Sequence, residues 1–116
     1  MKNIFTNTES AIFSIIESAQ IHSTASENGD YKKANKNYEI IQKAVEFIID
    51  NNQIDSLKNL LNHNEISVKI ASASYLLKYF EKESLEVLEK IVTDSILFKS
   101  FEAKMILQEW RNGNLK

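Results

Sequence analysis

The sequence predicts an all-α fold, a short α-solenoid of stacked helical hairpins, and three observations carry that expectation. The first is an echo at an offset of 30 residues: Val68-Lys69 through Phe80 aligns without gaps on Phe98-Lys99 through Trp110. Lys69 and Lys99, Ala73 and Ala103, and Leu77 and Leu107 are identical pairs, and a large aromatic closes both stretches. A shorter echo, Ser56-Leu57 to Leu60 against Ser84-Leu85 to Leu88, precedes it. Tandem helix-turn-helix units produce such echoes and bury their apolar faces by stacking on neighbours. The second observation is that the chain has no Pro and only 2 Gly, far too little turn chemistry for a β-rich fold. The third is a pair of segments that are apolar on two faces at helical spacing, the pattern of helices sandwiched between neighbours.

The elements follow in order, about six helices in three hairpins. Thr8 can cap the first, which carries Ile12, Ile15, Ile16 and Ala19 on one face and stops at Asn28-Gly29. Asp30 then caps a second helix with the stripe Tyr31, Ala34, Tyr38, Ile41, Val45 and Ile48, ended by Asn51-Asn52. A short third helix follows Asp55, with Leu57, Leu60 and Leu61 inward and His63-Asn64 as the turn. The fourth, about Glu65 to Phe80, has Ile66, Ile70, Ala73, Leu76, Leu77 and Phe80 on one side and Val68, Ala71, Tyr75 and Tyr79 nearly opposite. It is therefore expected at the centre of the domain. The fifth, from Glu83 or Ser84 to Val92, buries Leu85, Leu88, Ile91 and Val92. The sixth, Ile96 to Asn112, again presents two faces, Phe98, Phe101 and Met105 against Ile106, Leu107 and Trp110, with Gly113 as its C-cap.

Composition bounds the function. A chain of 116 residues with 43% apolar and 26% charged residues suits one globular domain, 1–116, with residues 1–7 as a flexible N-terminus. A formal net charge of −2 gives no long-range field for nucleic acid or an anionic membrane, so neither is expected as a partner. Without Cys there is no disulfide framework, thiol nucleophile or thiolate metal site. No window approaches the ~20 apolar residues of a membrane span, and Met1-Lys2-Asn3-Ile4-Phe5 does not open a signal peptide. The expected location is the cytoplasm.

Several of these residues carry a resemblance. Val68-Lys69-x-Ala71-x-Ala73-x-x-Leu76-Leu77 looks like the second-helix signature of a HEAT repeat, in which small residues let adjacent helices approach closely. Ile21-His22, Gly29-Asp30, Ala34-Asn35, Tyr38, Leu60-Leu61-Asn62-His63 and Phe101-Glu102-Ala103-x-Met105-x-Leu107-x-Glu109-Trp110-Arg111-x-Gly113 together resemble a small bacterial HEAT-like family of unknown function. The likeness runs from about Ile12 to Leu115, and the Glu-Trp-Arg-x-Gly stretch is its most specific part. The chain departs from it at Ser100, where Gly is expected, and at Lys82-Glu83, where a Pro is common. The resemblance implies a right-handed HEAT-like stack and brings no catalytic residue with it.

Chemistry independent of family is sparse. His22, beside Ile15 and Ala19, could meet Asp30 or Asn35 across the first turn as a base and its orienter, or simply bond across the helix pair. His63, between Asn62 and Asn64, suits capping, and with no His-x-x-x-His or Glu-x-x-His spacing no metal site is expected. Glu81, Glu83, Glu86 and Glu89 read either as a dipole-favoured solvated turn or as an acidic docking patch. Lys32, Lys36 and Lys43 are interleaved with Glu39 and Asp50, which argues for solubility. Tyr31, Tyr38, Tyr75, Tyr79 and Trp110 could form a sticky groove, but their helical spacing makes burial with the polar tip at the surface the default. Tyr79 is the one most readily given to a surface. No phosphate loop, Ser-His-Asp set or carboxylate pair is visible.

The sequence thus points to a non-enzymatic protein-binding module, without catalytic residues or cofactor and with one protein partner. In HEAT-like stacks the second helix of each hairpin lines the concave face, so the second, fourth and sixth helices carry the expected surface. Its expected residues are Ser67, Ser74, Lys78, Tyr79, Glu102 and Glu109. An immunity or antitoxin protein, which blocks a partner, is one role that fits; an adaptor or accessory subunit is another. A small helical enzyme with a site near His22 and Asn35 is the third reading.

Overall fold

The structure, a computed structural model, describes residues 5–94 and 97–114. It is all-α: among the described residues six helical segments follow one another and no strand occurs. They are α1 (Thr8–Glu27), α2 (Tyr31–Asp50), a 3-10 segment (Ile54–Asn62), α3 (Ile66–Leu76), α4 (Glu81–Asp94) and α5 (Leu97–Arg111). The chain divides into two compact units, Met1–Leu57 and Lys58–Lys116.

In the first unit α1 and α2 pack as a hairpin. The cap of α1 is Asn7, one residue before the expected Thr8. Asn7 Oδ1 accepts the Ser10 N–H at 2.8 Å while Ser10 Oγ accepts the Asn7 N–H at 3.3 Å, so two orphan donors are satisfied reciprocally. Part of the N-terminal stretch expected to be flexible is therefore tied down; Phe5 also meets Phe47, ring centroids 5.9 Å apart. Residues 1–4 lie outside the described residues. At the other end Gly29, at φ +76°, donates to Ser26 O and Asp30 N–H donates to Ala25 O, the paired bonds of a Schellman stop. The same pair closes α2 through Asn52, at φ 58°, with bonds to Ile49 O and, from Gln53, to Ile48 O. Asn tolerates the left-handed region better than other non-glycine residues, which is why Asn51-Asn52 ends the helix. Asp30 caps α2 as expected, accepting the Lys33 N–H at 3.2 Å.

Ala11, Ile15, Ala19 and Ala25 of α1 and Ala34, Ile41, Ala44, Val45 and Ile48 of α2 are buried. Two members of the expected α2 stripe are not: Tyr31 and Tyr38 are 72% and 47% exposed. Both sit near the N-terminal half of α2, where Asn37 is buried in their stead with its amide donating to Lys33 O at 3.0 Å.

The third helix is a 3-10 segment instead of the expected short α-helix. Leu57, Leu60 and Leu61 are buried as expected, because a spacing of three residues falls on one face in either geometry. His63 Nδ1 accepts the Glu65 N–H at 3.0 Å and so serves one of the free donors at the start of α3, whose own N-cap Glu65 makes no side-chain cap.

In the second unit α3 ends at Leu76, four residues before the expected Phe80; Leu77–Tyr79 form a turn, with Tyr79 N–H and Phe80 N–H both donating to Leu76 O. α4 correspondingly starts early, at Glu81, without needing a Pro. α4 packs on α3 and α5, and α5 also touches α3. Ser100 Oγ, where a Gly was expected, donates to Val92 O at 2.8 Å and satisfies a carbonyl near the end of α4. Gly113, at φ +77°, and Asn114 close α5 by bonds to Trp110 O and Glu109 O, the same Schellman pair. Ile96, the expected first residue of the sixth helix, lies outside the described residues.

Most of the identical echoed pairs share burial; Leu57 and Leu85 do not, the first buried and the second half-buried. Ala73 and Ala103, Leu77 and Leu107, and Leu60 and Leu88 are all buried, and Lys69 and Lys99 are both half-buried. Phe80 and Trp110 were both expected to be largely buried; each is half-buried instead. Both rings have polar partners: Lys58 Nζ lies over the face of Phe80, 4.8 Å from the ring centroid, and Trp110 Nε1 donates to Glu81 Oε2 at 2.9 Å.

Ser84 is fully buried in α4 and its hydroxyl has no hydrogen-bond partner. An unpaired buried hydroxyl carries a desolvation cost of about 1–3 kcal/mol, so Ser84→Ala should raise stability by roughly 1 kcal/mol after the small loss of packing. Urea unfolding of the two proteins reads this directly; a midpoint lowered by the substitution would mean that the hydroxyl finds a partner in solution.

Candidate interaction surfaces

The residues expected to bind a partner scatter in the structure. Lys78 and Tyr79 are exposed in the turn after α3, with the ammonium 5.9 Å from the Tyr79 ring centroid. Ser67 and Ser74, expected to be exposed between the two faces of α3, are half-buried, and Ser74 Oγ donates to Ala71 O at 2.8 Å. A serine that returns its proton to its own helix has little to offer a partner. Glu102 is half-buried beside Lys99, whose side chain is 14% exposed, at 4.0 Å. Glu109 is exposed and accepts Asn114 Nδ2 at 3.0 Å.

α5 is where the two-faced reading fails. At about 100° per residue, Ala103 and Leu107 form the centre of its buried side, with Ile106 and Trp110 half-buried along it. The other expected apolar face points outward: Phe98 is half-buried, Phe101 is 59% exposed and Met105 is 42% exposed. In α3 the echoed positions Val68 and Ala71 are buried and half-buried, and Tyr75 is half-buried. The pattern is the same and its environment is not. Large apolar side chains grouped on one exposed face mark a contact site more often than a singly exposed residue does, and this group was missed because spacing alone reads as core.

In the first unit Tyr31 and Tyr38 lie seven residues apart, within about 20° of one another around α2. His22 of α1 stands beside Tyr38, ring centroids 6.1 Å apart, in a tilted arrangement. Asn35 is exposed on the same side of α2. The open depression of about 340 Å³ in this unit is lined by Gln20, Ile21, Thr24, Ala25, Asn28, Asp30 and Lys33, so His22 and Asn35 do not line it. The Asp30 carboxylate is occupied by the cap of α2.

The acidic run is tied up within the second unit. Glu81 accepts from Trp110, Glu83 pairs with Lys58 at 3.2 Å and Glu89 accepts Arg111 Nη2 at 2.9 Å. Glu86 alone of the four has neither role and is exposed. These contacts favour an internal bracing role over a docking patch. The Glu89–Arg111 pair edges an open depression of about 390 Å³ between α4 and α5, which Lys104, Leu107 and Gln108 also line.

Its own backbone amide, with the Lys58 ammonium, holds Glu83 below the ordinary carboxylate range. A depressed folded-state value means that this contribution to stability is complete above the reference value of 4.5 and is lost as pH falls through the lower folded value. The carboxylate is exposed, so the effect is small. Melting temperatures taken from neutral pH to about pH 3 should fall less steeply on the acid side for Glu83→Gln than for the native protein; parallel profiles would show that the pair does not persist in solution.

No helix among the described residues is long and apolar enough to cross a membrane, and no group of three or more His, Asp or Glu among them could hold a metal ion. Comparison with models of protein families, with curated proteins and with solved structures found no match.

Proposed function

We propose that the protein is a cytoplasmic, non-enzymatic binding module of the HEAT-like type, which engages one protein partner and blocks or recruits it. The observation that carries this reading is the exposure of tyrosines whose spacing suits a core: Tyr31, Tyr38 and Tyr79 are 72%, 47% and 41% exposed. Tyr offers a large rigid face with a polar tip at little conformational cost, which is why it dominates binding hot spots. Leaving three such rings in water brings the folded chain no stability, whereas a partner that covers them gains both area and a hydrogen bond. The shared burial of Ala73 with Ala103, Leu77 with Leu107 and Leu60 with Leu88 supports the HEAT-like assignment.

Occlusion of a toxin by an immunity or antitoxin protein is the role we favour; an adaptor or accessory subunit of a bacterial complex uses the same surface chemistry. Gene neighbourhood separates them, since an adjacent secreted-toxin gene favours immunity. The direct test is recovery of the partner from the native host, followed by affinity measurements on the purified pair. Tyr38→Ala or Tyr79→Ala should weaken binding about 30-fold if either ring is a hot spot, and reversal at Lys78 or Glu109 should slow association and raise its salt sensitivity. Wild-type affinity in all four variants sinks the proposal.

A further inference from the structure

The outward face of α5 is laid out as a seam. Phe98, Phe101, Met105, Gln108 and Asn112 recur at spacings of three and four residues, the a and d positions of two heptads. The residues after each d position, Glu102 and Glu109, are acidic, and those before the later a positions, Lys104 and Arg111, are basic. One flank of the seam is therefore negative and the other positive. Arg111 is held by Glu89 and Glu102 lies beside Lys99, which leaves Lys104 and Glu109, both exposed, as the flanking charges not set against an opposite charge, Glu109 accepting only the neutral amide of Asn114.

This arrangement discriminates between occupants. Two copies related by a two-fold axis along α5 bring the basic flank of one against the acidic flank of the other, and in a parallel pair a g position faces the e position five residues further along. Lys104 and Glu109 are five residues apart. An antiparallel pair would instead place Lys104 near Lys104 and Glu109 near Glu109 of the second copy. We propose that α5 pairs in parallel with α5 of a second copy of this chain, burying Phe101 and Met105 at the seam and closing two Lys104–Glu109 contacts, one on each side. With α5 only 15 residues long and its seam ending in Gln108 and Asn112, the interface falls at the small, transient end of the range. The pairing uses none of the tyrosines above and shares only Glu109 with the surface proposed there.

Sedimentation equilibrium of the native protein from about 10 μM to 1 mM should show a mass that climbs from one chain toward two. Phe101→Glu or Met105→Glu should abolish the rise while circular dichroism and melting temperature stay native, because both side chains face outward. Lys104→Glu should weaken association about tenfold, and the double swap Lys104→Glu with Glu109→Lys should restore it. The chain contains no Cys, so single introduced thiols report orientation: Gln108→Cys and Asn112→Cys should each form a disulfide-linked dimer on oxidation, which no single antiparallel register allows for both. A single-chain mass throughout the range overturns the proposal and gives the face to a helix of another protein; cross-linking at only one of the two positions overturns the parallel arrangement. A monomer that still binds its host partner separates this failure from that of the proposed function.

Discussion

Leu107→Ala should destabilise the protein by about 2–5 kcal/mol, while Phe101→Ala, the larger truncation in the same helix, should change stability by no more than about 0.5 kcal/mol. The two residues lie less than two turns apart in α5, and their sequence patterns are equally apolar. Their environments decide the outcome: Leu107 is 4% exposed and Phe101 is 59% exposed. Removing a buried isobutyl group forfeits its transfer energy and leaves a cavity, because the packed surroundings relax only in part. Removing an outward phenyl ring leaves neither, and in the dilute monomer no neighbour misses it. Urea unfolding below about 10 μM, where a weak dimer is dissociated, measures both. A loss from Phe101→Ala comparable to that from Leu107→Ala would restore the two-faced reading of this helix.

That contrast also shows what was legible in the sequence. Helix ends marked by Asn, Asp or Gly were, because capping is local chemistry: Asn28-Gly29, Asp30, Asn51-Asn52 and Gly113 act where their side chains and left-handed preferences place them, although the cap of α1 fell on Asn7 and not on Thr8. Most of the inward leucines were legible too: Leu57, Leu60, Leu61, Leu88 and Leu107 are buried, whereas Leu85, expected inward with Val92 on the fifth helix, is half-buried, as is Val92. The 3-10 winding of Ile54–Asn62 was not, as three-residue spacing suits both helix types and the choice rests on backbone bonding. Nor was the early end of α3, where no Gly, Pro or Asn stands near Leu76 to announce the turn at Leu77–Tyr79.

The candidate surface was the least legible part, for a related reason. Periodicity states that residues share a face; it does not state that anything covers the face. Tyr31, Tyr38, Phe101 and Met105 all satisfied the spacing of a core and are all exposed. Ser67 and Ser74 erred in the opposite direction: both are half-buried, and Ser74 sits against a neighbour with its hydroxyl bonded to its own helix at Ala71 O. Lys78, Tyr79 and Glu109 were placed correctly at the surface, where charge or the end of a helix set the outcome.

Ala73→Leu should cost about 1–3 kcal/mol, and Ala103→Leu a similar amount. Ala73 lies in the C-terminal half of α3 and Ala103 near the middle of α5, both with 0% exposure, at positions the echo makes equivalent. A residue whose only side-chain atom is a methyl group and which still shows no surface has neighbours at contact distance around that methyl. Three added carbons have no vacant space to enter, so side chains must leave their rotamers or the backbone must shift. Helix propensity does not offset this, because Leu and Ala differ little in a helix interior. Ala71, two residues from Ala73 and half-buried, supplies the control: Ala71→Leu can turn its added carbons toward solvent and should cost less than Ala73→Leu. Equal melting temperatures for the Ala73→Leu variant and the native protein would mean that α3 can rotate away from its neighbours, and the register shared by Ala73 and Ala103 would have to be abandoned.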